Sequence, residues 1–340
     1  MARINEMLVR LYIVMLASLT AAIVIFGGGT ASLIVRKGSQ HHDVNVLPTE
    51  PGTSPSLRAT ALPVDALVLP TLRSTRRGSK PAVPLVVFTA TFYSAPKGVR
   101  FDACIALLHS LASLSIPVVV IDASPAPTVR TAMAEISSRF VTVLKQRPGG
   151  KKGAALREGV AAAARVMGVT HQTWLCWMEA EKSGLAQSWR SVIAAADAQH
   201  GDVVVPMREL AAFQAYYPAE QFHSESFGNL YLDAAANERW RLSSALQPLP
   251  PLDWHFGPLA FRAKHSKFWT QCDGELWDAQ LVPLVHAARA GLRVVSHIVS
   301  YKASVAMKHE EEGTERFAQK RLKQLAFLDP KVVAAWSSTA

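Results

Sequence analysis

The segment TWLCWMEAEK, residues 173–182, joins an apolar run to two carboxylates. Its first six residues are hydrophobic or β-branched, which suits a short buried strand. Glu179 and Glu181 follow at i and i+2, where strand alternation turns both side chains to one side. Two unpaired carboxylates side by side repel. A divalent cation removes that repulsion, and hard oxygen ligands suit magnesium or manganese. Lys182 offers a simpler answer, because it can neutralise one of the pair.

Outward from this segment, apolar runs alternate with stretches of helical periodicity. Strands are expected at 84–89, 117–122, 140–145, 173–178 and 202–206, and helices at 100–113, 129–140, 152–167 and 185–200. Such alternation predicts an α/β, Rossmann-like and mostly parallel sheet with flanking helices. Ligands of these sheets bind beyond the carboxyl ends of the strands. Thr89 and Thr91 stand at the end of the first strand, and Asp122 ends the second. The third runs into RPGGKKGAALREG, residues 147–159. Glycine lets backbone approach a phosphate, and a helix N-terminus adds free N–H groups and a favourable dipole. Lys151, Lys152 and Arg157 add positive charge. The run lacks GxxxxGK[ST], so it is no Walker loop. Each feature also has a plain structural reading: Asp122 can cap a helix, and the glycine-rich run can be a solvated turn.

Taken together, the order strand–Asp, then GKKGAALREG (150–159), then strand–Glu-x-Glu resembles GT-A-fold glycosyltransferases. The likeness is to the inverting family 2 group and the mannosylglycerate synthase type, whose helix start often resembles GKAxALNxG. Here Glu179-Ala180-Glu181 stands where those enzymes usually carry Asp-x-Asp. The resemblance spans residues 81–206. It implies a nucleotide-sugar donor, a UDP- or GDP-sugar, with Thr89, Thr91 and Asp122 near base and ribose. It also implies Gly150, Lys151 and Arg157 along the nucleotide–sugar, and Mn2+ or Mg2+ on Glu179 and Glu181.

Residues 207–330 read as the acceptor and catalytic half of the same domain. A helix is expected at 230–241, and the aromatic segment DWHFGPLAF, 253–261, as an acceptor-side wall, with Phe261 in the core. Asp278 and the reserve Glu275 head a helix over 279–291. Inverting relatives place there the carboxylate that takes the acceptor's proton. Asp278 equally fits a helix cap beside the dipole; a retaining enzyme needs no such base. A strand is expected at 293–301. His297 and His309 lie where some relatives add a metal ligand, although a lone histidine is more often structural. Glu310–Glu312 with Arg316, Lys320, Arg321 and Lys323 reads as a solvated helix whose basic face could reach a diphosphate or a lipid surface.

The N-terminal part differs from the rest. After a tail at 1–10, residues 11–35 hold no charged side chain, and Arg10, Arg36 and Lys37 flank them. A helix crosses the hydrocarbon core with roughly 20 apolar residues. The apolar part of a cleaved signal peptide is shorter, about 7 to 15. A transmembrane anchor is therefore expected, then a Pro- and Ser-rich stem at 36–80. Anchor, stem and head together suggest a lumenal domain of the Golgi or ER, while flanking charges leave orientation undecided. Net charge is +10, yet no nucleic-acid recognition motif accompanies it. Three well-separated cysteines exclude a disulfide framework. The acceptor is left open between glycan, lipid and small molecule. Two other classes stay in play, a nucleotidyltransferase and a catalytically inactive transferase-fold binding protein. The glycine-poor stretch after the first strand weighs against the former.

Overall fold

The short branched runs form the strands β1 Leu85–Thr91, β2 Val118–Asp122, β3 Val141–Lys145, β4 Trp174–Trp177, β5 Val203–Arg208, β6 Leu259–Arg262 and β7 Val294–Val299. This computed structural model describes residues 85–136, 139–166, 170–242 and 248–337, which fall in one compact unit. The expected anchor at 11–35 and stem at 36–80 lie outside the described residues. Among the described residues, no helix is long and apolar enough to cross a membrane.

The strands make one sheet in the order β3-β2-β1-β4-β6-β5-β7. All neighbours are parallel except β6, which runs antiparallel to both β4 and β5. This is the mostly parallel α/β sheet with flanking helices that the sequence predicts. Register places Thr91 beside Asp122 and Phe88 beside Trp177, so the carboxyl ends of β1, β2 and β4 lie together.

The helices are α1 Val99–Ser113, α2 Pro127–Ala134, α3 Lys152–Val166, α4 Trp189–Ala198, α5 Leu210–Tyr216 and α6 Ala219–Leu242. Beyond β6 follow α7 Lys267–Thr270, α8 Asp278–Arg289, α9 Val305–Glu311, α10 Glu315–Lys323 and α11 Asp329–Ser337. Alternate strand residues feed two cores, one per face. Val87, Val120 and Cys176 join Leu107, Leu108 and Trp189 on one side. Phe88, Ile121 and Trp177 join Leu156, Leu284 and Trp254 on the other. Burying an apolar side chain as large as Phe88 or Phe261 contributes about 1.5–3 kcal/mol.

Several elements depart from expectation, and the helix expected at 129–140 already ends at Ala134. The helix expected at 185–200 is a 3-10 turn, Ser183–Ser188, before α4. Hydrogen bonds from Lys182 N to Glu179 O and from Leu185 N to Lys182 O tie that turn to the end of β4. Helix α6 starts at Ala219 rather than 230. Its inward positions Gln221, Glu225 and Gly228 carry no apolar signal, so an apolar period misses its first half. The basic stretch after 310 is not one helix. Gly313, with φ of 69°, separates α9 from α10, and α11 then buries Val332 and Trp336 against the core.

Candidate active site

A cavity of about 500 Å³ opens at the carboxyl ends of β1 and β4. From the first half, Thr91, Gln146, Gly150, Lys151, Lys152, Glu179 and Glu181 line it. The second half contributes Trp254, His255, Phe256, Gly257 and Trp277, together with residues of α6, α9 and α10.

The Glu-x-Glu pair sits at the loop leaving β4, and both carboxylates reach the cavity. Glu179 lies between two ammonium groups: Lys152 Nζ is 3.3 Å from Oε1, and Lys182 Nζ is 3.7 Å from Oε2. Burial alone raises the Glu179 carboxyl; Lys182 and Lys152 outweigh it and hold it below the usual carboxylate range. Glu181 lies 3.9 Å from Arg100 Nη1. Gly257 allows this packing. Its φ is +98°, and an added Cβ would meet the Glu179 carboxylate, so a side chain is excluded on both grounds.

The site can be tested for a cation. Glu179 Oε2 is buried and accepts no hydrogen bond. An oxygen that meets only Lys182, at 3.7 Å, beside a second carboxylate on the same cavity wall, fits a hard cation. No group of three or more His, Cys, Asp or Glu forms such a site among the described residues. The protein side would therefore supply two carboxylates, with ligand and water oxygens completing the shell. His297 on β7 and His309 on α9 do not line the cavity.

The other site residues separate into those that reach the cavity and those held behind it. Thr91 lines it, and its hydroxyl donates to Asp122 Oδ1 at 2.8 Å. Asp122 itself is fully buried and does not reach the cavity. Ser124 donates to the same oxygen at 2.5 Å, and Arg130 donates to Oδ2 at 3.1 Å. Its acceptor capacity therefore fixes the β1 and β2 ends rather than meeting a ribose. Thr89 is buried, outside the cavity, and its hydroxyl has no partner. Gly150 and Lys151 line the cavity, while Arg157 instead donates to the carbonyls of Cys272 and Gly274 at 2.6 and 2.8 Å. That fork holds the 272–274 loop against α3. An added Cβ on Gly153 would strike Gly274 O at the same contact. Glu275 is exposed and pairs with Lys151 Nζ at 2.5 Å. Asp278 opens its helix and is held at both oxygens: Oδ1 accepts from Leu276 N at 2.8 Å, in the loop before the helix, and Lys331 Nζ lies 2.5 Å from Oδ2. Neither Glu275 nor Asp278 lines the cavity.

Solved structures offer a comparison at this point. Glucosyl-3-phosphoglycerate synthase from Mycobacterium tuberculosis, in complex with Mn2+, UDP-glucose and phosphoglyceric acid, is similar at 12% identity. The match covers 76% of this chain and 81% of that one, with a TM-score of 0.48. Mannosyl-3-phosphoglycerate synthase from Rubrobacter xylanophilus is similar at 10% identity over 72% and 75%, with a TM-score of 0.40. 4-Diphosphocytidyl-2C-methyl-D-erythritol synthase from Anaerococcus prevotii DSM 20548 is similar at 10% over 73% and 99%, with a TM-score of 0.42. The sequence matches no protein-family model and no curated protein.

Several cavity residues escape a reading of motifs. Arg100 on α1 and Arg321 on α10 enter from elements far apart in sequence. Lys182 looks like a bystander in sequence, yet it faces both Glu179 and the Phe256 ring, 5.0 Å from the centroid. His255 sits with Nε2 3.1 Å from Asp329 Oδ1 of α11. Gly228 leaves the room for that ring, since a Cβ there would strike it. The DWHFG run signals aromatic character but not this partner.

Proposed function

We propose that this chain is a glycosyltransferase using a nucleotide diphosphate-sugar, a UDP- or GDP-sugar, with Mn2+ or Mg2+ held by Glu179 and Glu181. One observation carries the proposal: Thr91, the Gly150–Lys152 turn and Glu-x-Glu, far apart in sequence, line one cavity at the strand ends. The turn meets phosphate where the N-terminus of α3 opens, and Lys152 and Lys182 add charge beside Glu179. A bound metal supplies Lewis acidity to the departing diphosphate. Lys152 and Lys182 orient Glu179 through their ion pairs, and Gly257 keeps the approach to it open. Trp254 and Phe256 offer apolar ring faces on the acceptor side. The acceptor is a glycan, a lipid or a small molecule.

A thermal-shift screen of nucleoside diphosphates with and without Mn2+, then a donor panel scored for nucleoside diphosphate release, tests this reading. The expected result is a metal-dependent shift for one base and slow release from its sugar ester. Absence of both would leave a transferase-fold binding protein instead. Equal donor turnover by Glu181→Ala would sink the metal assignment.

The reading extends to location. Residues 11–35 hold the head on a membrane, with the catalytic unit in the Golgi or ER lumen. Alkaline carbonate should leave the full chain in the pellet and release a chain starting at residue 81. Protease protection in sealed microsomes should be complete. A mature protein lacking residues 11–35 would mean a cleaved signal instead.

A further inference from the structure

Helices α9 and α10 bring Lys308, Glu311, Lys320 and Arg321 to the cavity, where α1 adds Arg100. These cations are unevenly partnered. Arg100 pairs with Glu311 and, at 3.4 Å, with Glu310. Arg321 meets Glu225 and Glu311, each at 3.1 Å. Lys308 donates to Ala215 O at 3.2 Å and lies 3.9 Å from Glu312. Lys320 forms no ion pair among the described residues, and its ammonium rests 5.5 Å from the Phe317 ring centroid. Its charged surroundings are Arg321 on its own helix, Glu311 from α9, Arg100 from α1 and Lys152 from α3. Three of those four groups repel it. Burial, then Arg321, then Arg100 and Lys152 push the Lys320 ammonium down to about 8, against the opposing pull of Glu311.

A half-buried ammonium among cations is costly unless something negative meets it. Lys152, one of the groups that repel it, is also the partner of Glu179. Arg100 packs on the same Phe317 ring, 5.3 Å from its centroid, and lies 3.9 Å from Glu181, so Lys320 stands toward the Glu-x-Glu end of the cavity, where a donor's diphosphate belongs. We propose that Lys320, paired with Lys152 across the diphosphate, binds the donor phosphates and holds the leaving nucleoside diphosphate. This rests on the donor-site reading given above. It gives α10 a part in the donor site, which no motif of the first half contains.

Inorganic pyrophosphate tests it without knowledge of base or sugar. Calorimetry on the whole chain with Mg2+ at pH 7 should show Lys320→Met binding about tenfold or more weakly, the loss expected for one charge-assisted contact. Lys320→Arg should stay within about threefold, since it keeps the charge. Raising the pH from about 7 to about 9 should weaken wild-type binding relative to Lys320→Arg, because only the lysine discharges in that window. Ligand titration is common to both proteins and cancels in the comparison. Unfolding midpoints check that both variants fold, and the arginine variant alone suffices if Lys320→Met does not. Unchanged affinity in Lys320→Met, or identical pH profiles, would overturn the proposal. A wild type that binds no pyrophosphate would overturn the donor-site reading itself.

Discussion

Two clusters of opposite charges lie close together in this molecule and behave differently. Behind the cavity, Arg208 is 1% exposed, and its guanidinium reaches Asp253 at 2.7 Å through both Nε and Nη2. Nη1 reaches Glu225 Oε2 at 2.8 Å, and the group stacks 3.5 Å from the Phe213 centroid. Asn229 gives Asp253 a further donor at 2.8 Å. At the cavity, Lys152 and Glu179 are 24% and 22% exposed, 3.3 Å apart, and one Glu179 oxygen accepts no hydrogen bond. The first cluster is closed, with its charges committed to joining β5, α6 and the 253 loop. The second is open on one side. A closed charge network fixes a fold, whereas an open one retains affinity for a ligand.

The sharpest way to break this contrast is Arg208→Met. Asp253 would stay buried without its cation and Glu225 would keep only Arg321, a loss of about 3–5 kcal/mol. For a unit of this size the thermal midpoint should fall by roughly 10 °C. The acid limb should move as well. Burial raises the Asp253 carboxyl, but the Arg208 charge and hydrogen bonds from Arg208 and Asn229 outweigh it and hold it low. Its stabilisation is thus complete above the unfolded carboxyl value of about 3.9 and disappears as pH falls through the lower folded value. Without Arg208 that loss should begin at higher pH, which acid unfolding followed by circular dichroism would read. A midpoint within a degree of wild type would mean that the closed network is not structural.

Glu179→Gln makes the opposite claim about the open cluster. Stability should change by less than about 1 kcal/mol, because the partly exposed lysines regain water. Metal-dependent nucleoside diphosphate binding should vanish, and donor turnover should fall by at least about a hundredfold, given the several kcal/mol a metal supplies. A large stability loss with binding retained would reverse the roles of the two clusters. Gly257→Ala joins them in a smaller effect. Its positive φ costs about 1 kcal/mol for alanine, and the new methyl pushes on Glu179. Turnover should drop further than the melting temperature suggests, and comparing the two measurements on one preparation would show it.

The same contrast explains what a reader of the sequence can see. Four of the first five strands are β-branched apolar runs and the fourth, WLCW, is wholly apolar, so all five stand out locally. The Glu-x-Glu pair and the Gly150–Lys152 turn stand out because strand ends are where ligands bind. The aromatic segment 253–261 leads into β6, as its sequence suggests, but LAFR carries no mark of its antiparallel direction. Asp122 illustrates a deeper limit. An aspartate after a strand looks the same whether it faces a ribose or Arg130, and only the folded chain shows that Thr91, Ser124 and Arg130 occupy it. Lys320 has the same ambiguity in reverse. Of Arg316, Lys320, Arg321 and Lys323, only Lys320 and Arg321 reach the cavity, and the packing of α6 and α9 gives carboxylate partners to Arg321 alone.

The smallest expected effect belongs to Asp278, and it separates loop anchoring from proton transfer. Burial raises its carboxyl, while hydrogen bonds from Lys331 and Leu276 N pull it down to a net value below the usual range. A carboxylate held low and bonded at both oxygens is a poor proton acceptor near neutral pH. Asp278→Asn keeps the shape and an oxygen for Leu276 N but removes the charge that meets Lys331, which is itself 57% exposed. The protein should lose about 0.5–1 kcal/mol, the range of one weakened hydrogen bond and a largely exposed ion pair, with donor turnover near wild type. If turnover instead collapsed while the melting temperature held, Asp278 would be the base, and α8 would have to move to bring its carboxylate to the cavity. Solving the variant's activity against pH would distinguish the two. Loss of an acidic limb in the profile marks a base, while an unchanged profile with a slightly lower melting temperature marks an anchor for the loop before α8.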